Sequence, residues 1–430
     1  MAKSTEIPVF DGATLSRKLK LKPGAVAHAP IGKPEESENG KQVARNYKHA
    51  AGKSNTYSPA VVDMIYHMAR SGHLGDAEIR EFVAAKLDAE RALDPKLMPA
   101  TFDQLVFLSA NLTRLVIDPY RERCESSLQL GEHRPRPIDL AWPVVIGGID
   151  FDRLPDHVRD AALGAADQAN LAIFVRPDTP RGPDGKAPRI VEIDVTKSLP
   201  ELNRPAAVAL TAPIASQLTA ENIRPAIEAL RAKTDAQIPL GITAPAINAA
   251  QVVDATIDLD VDLYVADAQW TDDAQPAAIV PELGAAPALH VLADTIERVR
   301  HHCKEESVQV IYRGGIRGGA DAGKALCIGA SAATIGLSAL LGMGFKITSV
   351  SDEAKLLAGL AKPLDPADAI HHLTNFAKSM NMEITMLARA CGKSNVKNME
   401  PEDLRALTVA VSAATGIPVT GKDFNFRRHA

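Results

Sequence analysis

Two strand-like runs late in the chain end in glycine, and glycine at a strand end lets backbone N–H groups close on an anion. Val308–Tyr312 is β-branched and aromatic, and Arg313, Gly314 and Gly315 follow it. Ala332–Ile335 is small and apolar, and Gly336 and Leu337 follow it. Helical composition comes next in both cases, at Ala320–Leu326 and from Leu337 onward. Strand, glycine and helix, repeated at once, is the spacing of a phosphate cradle built on two consecutive strand ends. The same glycines would also serve the tight turns of an ordinary βαβα unit. Arg313 offers a fork of donors to such a phosphate, or a salt bridge on the rim. Trp142–Ile149 (WPVVIGGI) carries its own pair, Gly147 and Gly148. Asp267 ends the run Leu263–Ala266, where a carboxylate either moves protons or caps the following helix. Asp150 and Asp152 have the same two roles open, with a divalent cation as a third use. No metal site is assigned to them.

The elements needed to carry these residues alternate along the chain. Strands are expected at Trp142–Ile149, Ala172–Val175, Ile190–Val195, Ile238–Thr243, Leu263–Ala266, Val308–Tyr312 and Ala332–Ile335. Helices are expected at Asp156–Leu171, Ala220–Lys233 and Ala249–Ile257. Alternation at this spacing signals a parallel sheet covered by helices, and about eight strands between Trp142 and Gly336 favour a closed barrel. The fold class is therefore α/β, a TIM (β/α)8 barrel with an N-terminal helical segment and a C-terminal helical extension. We divide the chain at residues 1–56 (a flexible basic arm), 57–140 (the helical lead-in), 141–345 (the barrel) and 346–430 (the extension). The arm holds ten Lys and Arg against five acids and too few apolar residues to bury much surface. Ser58 before Pro59 is an N-cap signal, with Val61, Val62, Ile65, Met68 and Ala69 forming the apolar stripe of a helix. A second helix is expected at about Asp76–Leu93, and Ala367–Ala414 reads as helical.

Composition narrows the partners. At 430 residues, 46% hydrophobic and 23% charged, the chain has the make-up of a soluble globular protein. Net charge is -5 and the pI about 6.2, which argues against nucleic acid and anionic membrane surfaces as partners. No apolar run approaches the roughly 20 residues of a membrane span. MAKSTEIPVF lacks an apolar signal core, so a cytoplasmic protein is expected. Cys124, Cys303, Cys327 and Cys391 are too scattered for a cluster and read as reduced thiols. The pairs His301–His302 and His371–His372 point apart on a helix and make no chelate.

Three segments together resemble the FMN-binding glutamate synthase family, and within it the stand-alone glutamate-synthase-like proteins, such as the C subunit of N-methylglutamate synthase. The first is Phe102-Asp103-Gln104-Leu105, with Arg114 and Asp118-Pro119-Tyr120-Arg121-Glu122. The second runs from Gly314-Gly315-Ile316-Arg317-Gly318-Gly319-Ala320-Asp321 through Lys324-Ala325-Leu326 and Gly329-Ala330 to Ile335-Gly336. The third is Ala388-Arg389-Ala390-Cys391-Gly392-Lys393, then Asn398 and Glu400-Pro401-Glu402-Asp403-Leu404. The resemblance implies FMN at the C-terminal mouth of the barrel, held by Gly147, Gly148, Arg313, Gly314, Gly315, Gly336 and Leu337. It also implies amine transfer to a 2-oxo acid carbon with reduction of the imine. Other subunits of a hetero-oligomeric complex are implied as partners, a glutaminase-type amine donor among them.

The chain departs from that family around the reactive end. Thr243 stands where the resemblance places a lysine beside the flavin, and a hydroxyl brings no positive charge. Trp270-Thr271-Asp272-Asp273 replaces a Gly-Gly-Thr turn, setting two carboxylates where they would repel an anion. Asp152 replaces a glycine, and the Pro-rich Arg176–Pro188 stands where longer Gly-rich loops are expected. Thr243 and Asp267 are the candidates for a catalytic role. Two functions stay open: an FMN-dependent oxidoreductase or amine-transferring subunit, and a flavin-less structural or regulatory subunit derived from one.

Overall fold

Uninterrupted runs of β-branched and small apolar residues form strands here because each strand is covered on both faces. The computed structural model describes residues 56–73, 79, 82, 100–110, 122–234, 236–283, 286–345 and 353–421. Eight strands close into a parallel barrel. They are β1 (Val144–Ile146), β2 (Ala172–Val175), β3 (Arg189–Asp194) and β4 (Ala207–Thr211). The others are β5 (Leu240–Pro245), β6 (Leu263–Asp267), β7 (Gln309–Arg313) and β8 (Ala332–Ile335). Neighbours in sequence are neighbours in the barrel, and β8 closes on β1 through Ala333 opposite Val144 and Ile335 opposite Ile146. The expected TIM-type barrel is the fold.

Among the described helices, α1 (Pro59–Ser71) precedes the barrel and α2 (Asp156–Ala169) follows β1. Ser58 caps α1 through its hydroxyl, which accepts from Val61 N–H at 3.5 Å, with Pro59 at the first helical position. The strands β4 to β8 are followed in turn by α3 (Ala220–Lys233), α4 (Ala249–Thr256), α5 (His290–His301), α6 (Gly319–Ile328) and α7 (Leu337–Gly342). No helix follows β2 or β3. Pro177, Pro180, Pro183 and Pro188 break the first of these connections, and Pro200 and Pro205 the second. Beyond the barrel come α8 (Glu353–Leu360), the long α9 (Pro366–Ala390) and α10 (Val409–Thr415). The C-terminal stretch is thus not helical throughout, because Leu404–Ala406 pairs as a strand with Leu105–Phe107. The arm up to residue 55, nearly all of the second expected helix, and Arg114 with Asp118–Arg121 lie outside the described residues.

Helix α9 packs against α1, α2 and α6. Small residues make the approach close: a Cβ on Gly164 of α2 would lie 2.5 Å from Ile370, and one on Gly319 would lie 2.4 Å from the Met380 carbonyl. The opposite end of the barrel is closed by an antiparallel hairpin, Leu128–Leu130 with Ile138–Leu140. Its four leucine and isoleucine side chains are buried with Val145, Phe174, Val265 and Ile311 from the barrel interior. Arg134 and Arg231 both bind the buried carboxylate of Asp262 at 2.6 Å, which fastens the hairpin to the base.

One carboxylate holds the second half of the helix-free loop after β2. Asp167 on α2 accepts from four backbone N–H groups: Asp184 at 2.8 Å, Gly185 at 3.0 Å, Lys186 at 2.9 Å and Ala187 at 2.7 Å. Hydrogen bonds to a charged acceptor are the stronger kind, so Asp167→Ala should cost about 3 kcal/mol. Limited proteolysis should then cut first within residues 176–188. Unchanged stability together with an intact loop would sink this assignment.

Candidate functional site

The C-terminal ends of the strands surround an open cavity of about 360 Å³, within the size range of small-molecule sites. Its charged lining is Asp150, Asp152, Arg153, Arg176, Glu192, Asp267 and Arg313. Arg313, at the end of β7, sits at the cavity floor. It pairs with Glu192 of β3 at 2.8 Å and Asp267 of β6 at 3.5 Å, and lies 4.4 Å above the Phe174 ring of β2. Burial works against its charge, but Glu192 and Asp267 more than offset this, so its pKa ends above the ordinary guanidinium value. Burial raises the pKa of Asp267, and Arg313 partly counters that. Asp267 Oδ1 also accepts from Gln269 N–H at 3.0 Å in the turn after β6; it does not cap the next helix, whose N-cap position is Leu289.

The rim is charged on both sides. Arg176 pairs with Asp150, and Arg153 lies 4.0 Å from the same carboxylate. Burial raises the Asp150 pKa against the pull of Arg176 and Arg153. Thr179 donates to Asp152 at 2.6 Å, tying the loop after β2 to the loop after β1. That loop edges the cavity through Arg176 and does not plug it.

Other sequence expectations fall elsewhere. Thr243 is buried in the barrel and its hydroxyl has no hydrogen-bond partner, but it does not line the cavity. Asp272 and Asp273 do not line it either. The Asp273 carboxylate instead accepts from Ser216 N–H at 2.9 Å and Ser216 Oγ at 3.3 Å, so the expected repulsion of a mouth ligand does not arise there. Gly148 lines the cavity in a left-handed conformation, at φ +81°. A Cβ on Gly147 would lie 2.6 Å from the Phe174 ring, and one on Gly314 3.0 Å from the Gln269 side chain. Both glycines answer to packing.

The cradle at the ends of β7 and β8 has an occupant that sequence reasoning did not find. Glu282, in the turn Pro281–Leu283, is buried, and the N–H groups of Gly315 and Leu337 are directed at its carboxyl. Its Oε2 accepts from the buried Tyr57 hydroxyl, whereas Oε1 closes no hydrogen bond of its own. A Cβ on Gly336 would lie 2.5 Å from that Oε1. Burial pushes the Glu282 pKa up to about 7; the Tyr57 bond and the two N–H groups pull it back, and Asp267 adds to the rise. Nothing in Pro281-Glu282-Leu283 marks this carboxylate for the cradle, because the contact joins residues 225 positions apart. Among the described residues, no cluster of three or more His, Cys, Asp or Glu side chains is arranged for a metal ion. No helix among them is long and apolar enough to cross a membrane.

Comparison with known proteins finds similarity to glutamate-synthase-related proteins. Residues 210–394 match the family described as the conserved region in glutamate synthase. The chain is 26% identical over 411 residues to the glutamate synthase large subunit-like protein of Rhizobium meliloti (strain 1021), covering 80% of this chain and 93% of that one. It is 24% identical over 202 residues to the archaeal-type glutamate synthase (NADPH) of Dehalococcoides mccartyi, covering 45% of this chain and only 40% of the relative. Among solved structures, a flavocytochrome b2 double mutant with pyruvate bound aligns with a TM-score of 0.47 at 14% identity, over 78% of this chain and 88% of that one.

Proposed function

We propose that this chain is a glutamate-synthase-like protein whose barrel mouth binds a small amino acid of the glutamate class, or the corresponding imine or 2-oxo acid. The observation that carries this is the mixed charge of the cavity, where Arg153, Arg176 and Arg313 stand among Asp150, Asp152, Glu192 and Asp267. A zwitterion is matched by such a lining: its carboxylate meets guanidinium forks and its ammonium meets carboxylates. The rim pair Arg176–Asp150 is the exchangeable one, since Arg176 is half-exposed and swaps an internal acid for a ligand carboxylate at little cost. Arg313 is buried between two acids and fixes the floor.

FMN is the cofactor that the sequence resemblance implies, and Gly315, Gly336 and Leu337 are the residues that would hold its phosphate. These residues do not fit a phosphate as they stand, because the Glu282 carboxylate already fills the space in front of them. The binding role rests on the charged lining alone. We propose further that the chain works as a subunit of a hetero-oligomer, with a glutaminase-type partner as amine source. The excess of ten basic over five acidic residues in positions 1–56 suits docking.

Calorimetric titration with L-glutamate, N-methyl-L-glutamate and 2-oxoglutarate tests the mouth. At least one should bind, and Arg176→Ala should weaken that binding about tenfold, the cost of one charge-assisted contact. Binding that Arg176→Ala and Asp150→Asn leave untouched would place the ligand elsewhere.

A further inference from the structure

We infer that Glu282 is a built-in occupant of the anion nest at the ends of β7 and β8, anchored by Tyr57, and that it keeps a ligand phosphate out. Three observations meet at this point. The backbone there is shaped for an oxyanion: Gly315 is left-handed at φ +67°, and the N–H groups of Gly315 and Leu337 converge on one position. That position holds the Glu282 carboxyl, so the space a phosphate would take is filled from within the protein. The clearance is also gone, since Gly336 has no room for even a Cβ beside Glu282 Oε1, which lies 2.5 Å from where that atom would be.

Tyr57 makes the arrangement specific. It immediately precedes the cap of α1, is fully buried, and donates its hydroxyl to Glu282 Oε2 across the top of the barrel. A carboxylate that had drifted into an empty nest would not need a buried partner from 225 residues away. Removing the side chain leaves donors facing a void, and a void lined by donors accepts an anion of suitable size. This inference is independent of amino-acid binding at the mouth, since Glu282 does not line that cavity.

The experiment is flavin binding by the full chain, read as quenching of FMN fluorescence and as FMN retained after gel filtration, with inorganic phosphate as competitor. Wild type should neither carry nor take up FMN at 100 µM, on the order of ten times the range in which a built cofactor site would saturate. Glu282→Ala or Glu282→Ser, whichever keeps the wild-type circular dichroism spectrum, should bind FMN at least tenfold more tightly than wild type, and phosphate should compete. Stoichiometric FMN in wild-type protein would overturn the inference without any variant. So would a folded Glu282→Ala or Glu282→Ser chain that binds no better than wild type. If the mouth titrations fail while these variants gain FMN, only the amino-acid reading falls.

Discussion

Replacing Arg317 by leucine should destabilise the chain by about 3–5 kcal/mol, the range for breaking a buried charge cluster by removing one member. Arg317 is 3% exposed and holds two separate parts of the structure together. Its Nη1 and Nη2 donate to the two oxygens of Asp103 at 2.7 Å each, a fork on a carboxylate from the turn before the barrel. Its Nε and Nη2 donate to Asp321 on α6 at 2.6 and 2.9 Å. Leucine would take the guanidinium out from between Asp103 and Asp321, and the cost lies in the poorly solvated carboxylates left behind as much as in the lost bonds. A shift in the urea midpoint at constant slope measures it. A loss below about 1 kcal/mol would mean the cluster relaxes into water and does not bind the lead-in to the barrel. Arg317→Lys should recover only part of the loss, because an ammonium cannot make both forks.

The second large effect is a pH dependence, and its sign is fixed by Glu282. An ordinary glutamate titrates near 4.5, and this one near 7 in the folded protein. Between those values the folded chain keeps the proton and the unfolded chain has lost it, so stability falls as pH rises through the window and levels off above about 7. Glu282→Gln has no proton to lose. The stability of this variant relative to wild type should therefore rise from pH 4.5 to 7 by about 3 kcal/mol, the equivalent of the shift. Chemical denaturation at a series of pH values reads it directly. A difference between the two proteins that stays flat across that range would mean that the Glu282 pKa is not raised in the folded chain. Tyr57→Phe removes a hydrogen bond to the ionised form, so it should steepen the wild-type slope.

The barrel was legible because its signals are local. β-branched runs, the glycines after them and the Ala-rich helical stretches each announce one element, and their order implies closure. The helix-free side after β2 and β3 was half legible: the prolines of residues 176–188 stood out, but not that Asp167 would hold the loop in place of a helix. The glycines at Gly315 and Gly336 stood out in the sequence, since a left-handed turn at the first and a close approach at the second both exclude a side chain. The cradle's occupant did not, because Glu282 and Tyr57 lie far apart in sequence and neither has an unusual neighbourhood. Thr243 lies opposite Val265, two residues before the strands end at Pro245 and Asp267, and does not line the cavity. Asp272 and Asp273 read as obstacles at the mouth until the fold turned Asp273 toward the Ser216 turn.

The sealed base has a consequence for traffic. With Leu128, Leu130, Ile138 and Leu140 stopping the far end of the barrel and Asp262 clamped by two arginines beneath it, the barrel is a cup with one lip. A molecule at Arg313 would arrive and depart over the lip that Arg153, Arg176 and residues 275–279 line, and a second reactant would have no approach from below. Two molecules that need the floor would queue, and the loops at the lip would set the pace of exchange for both.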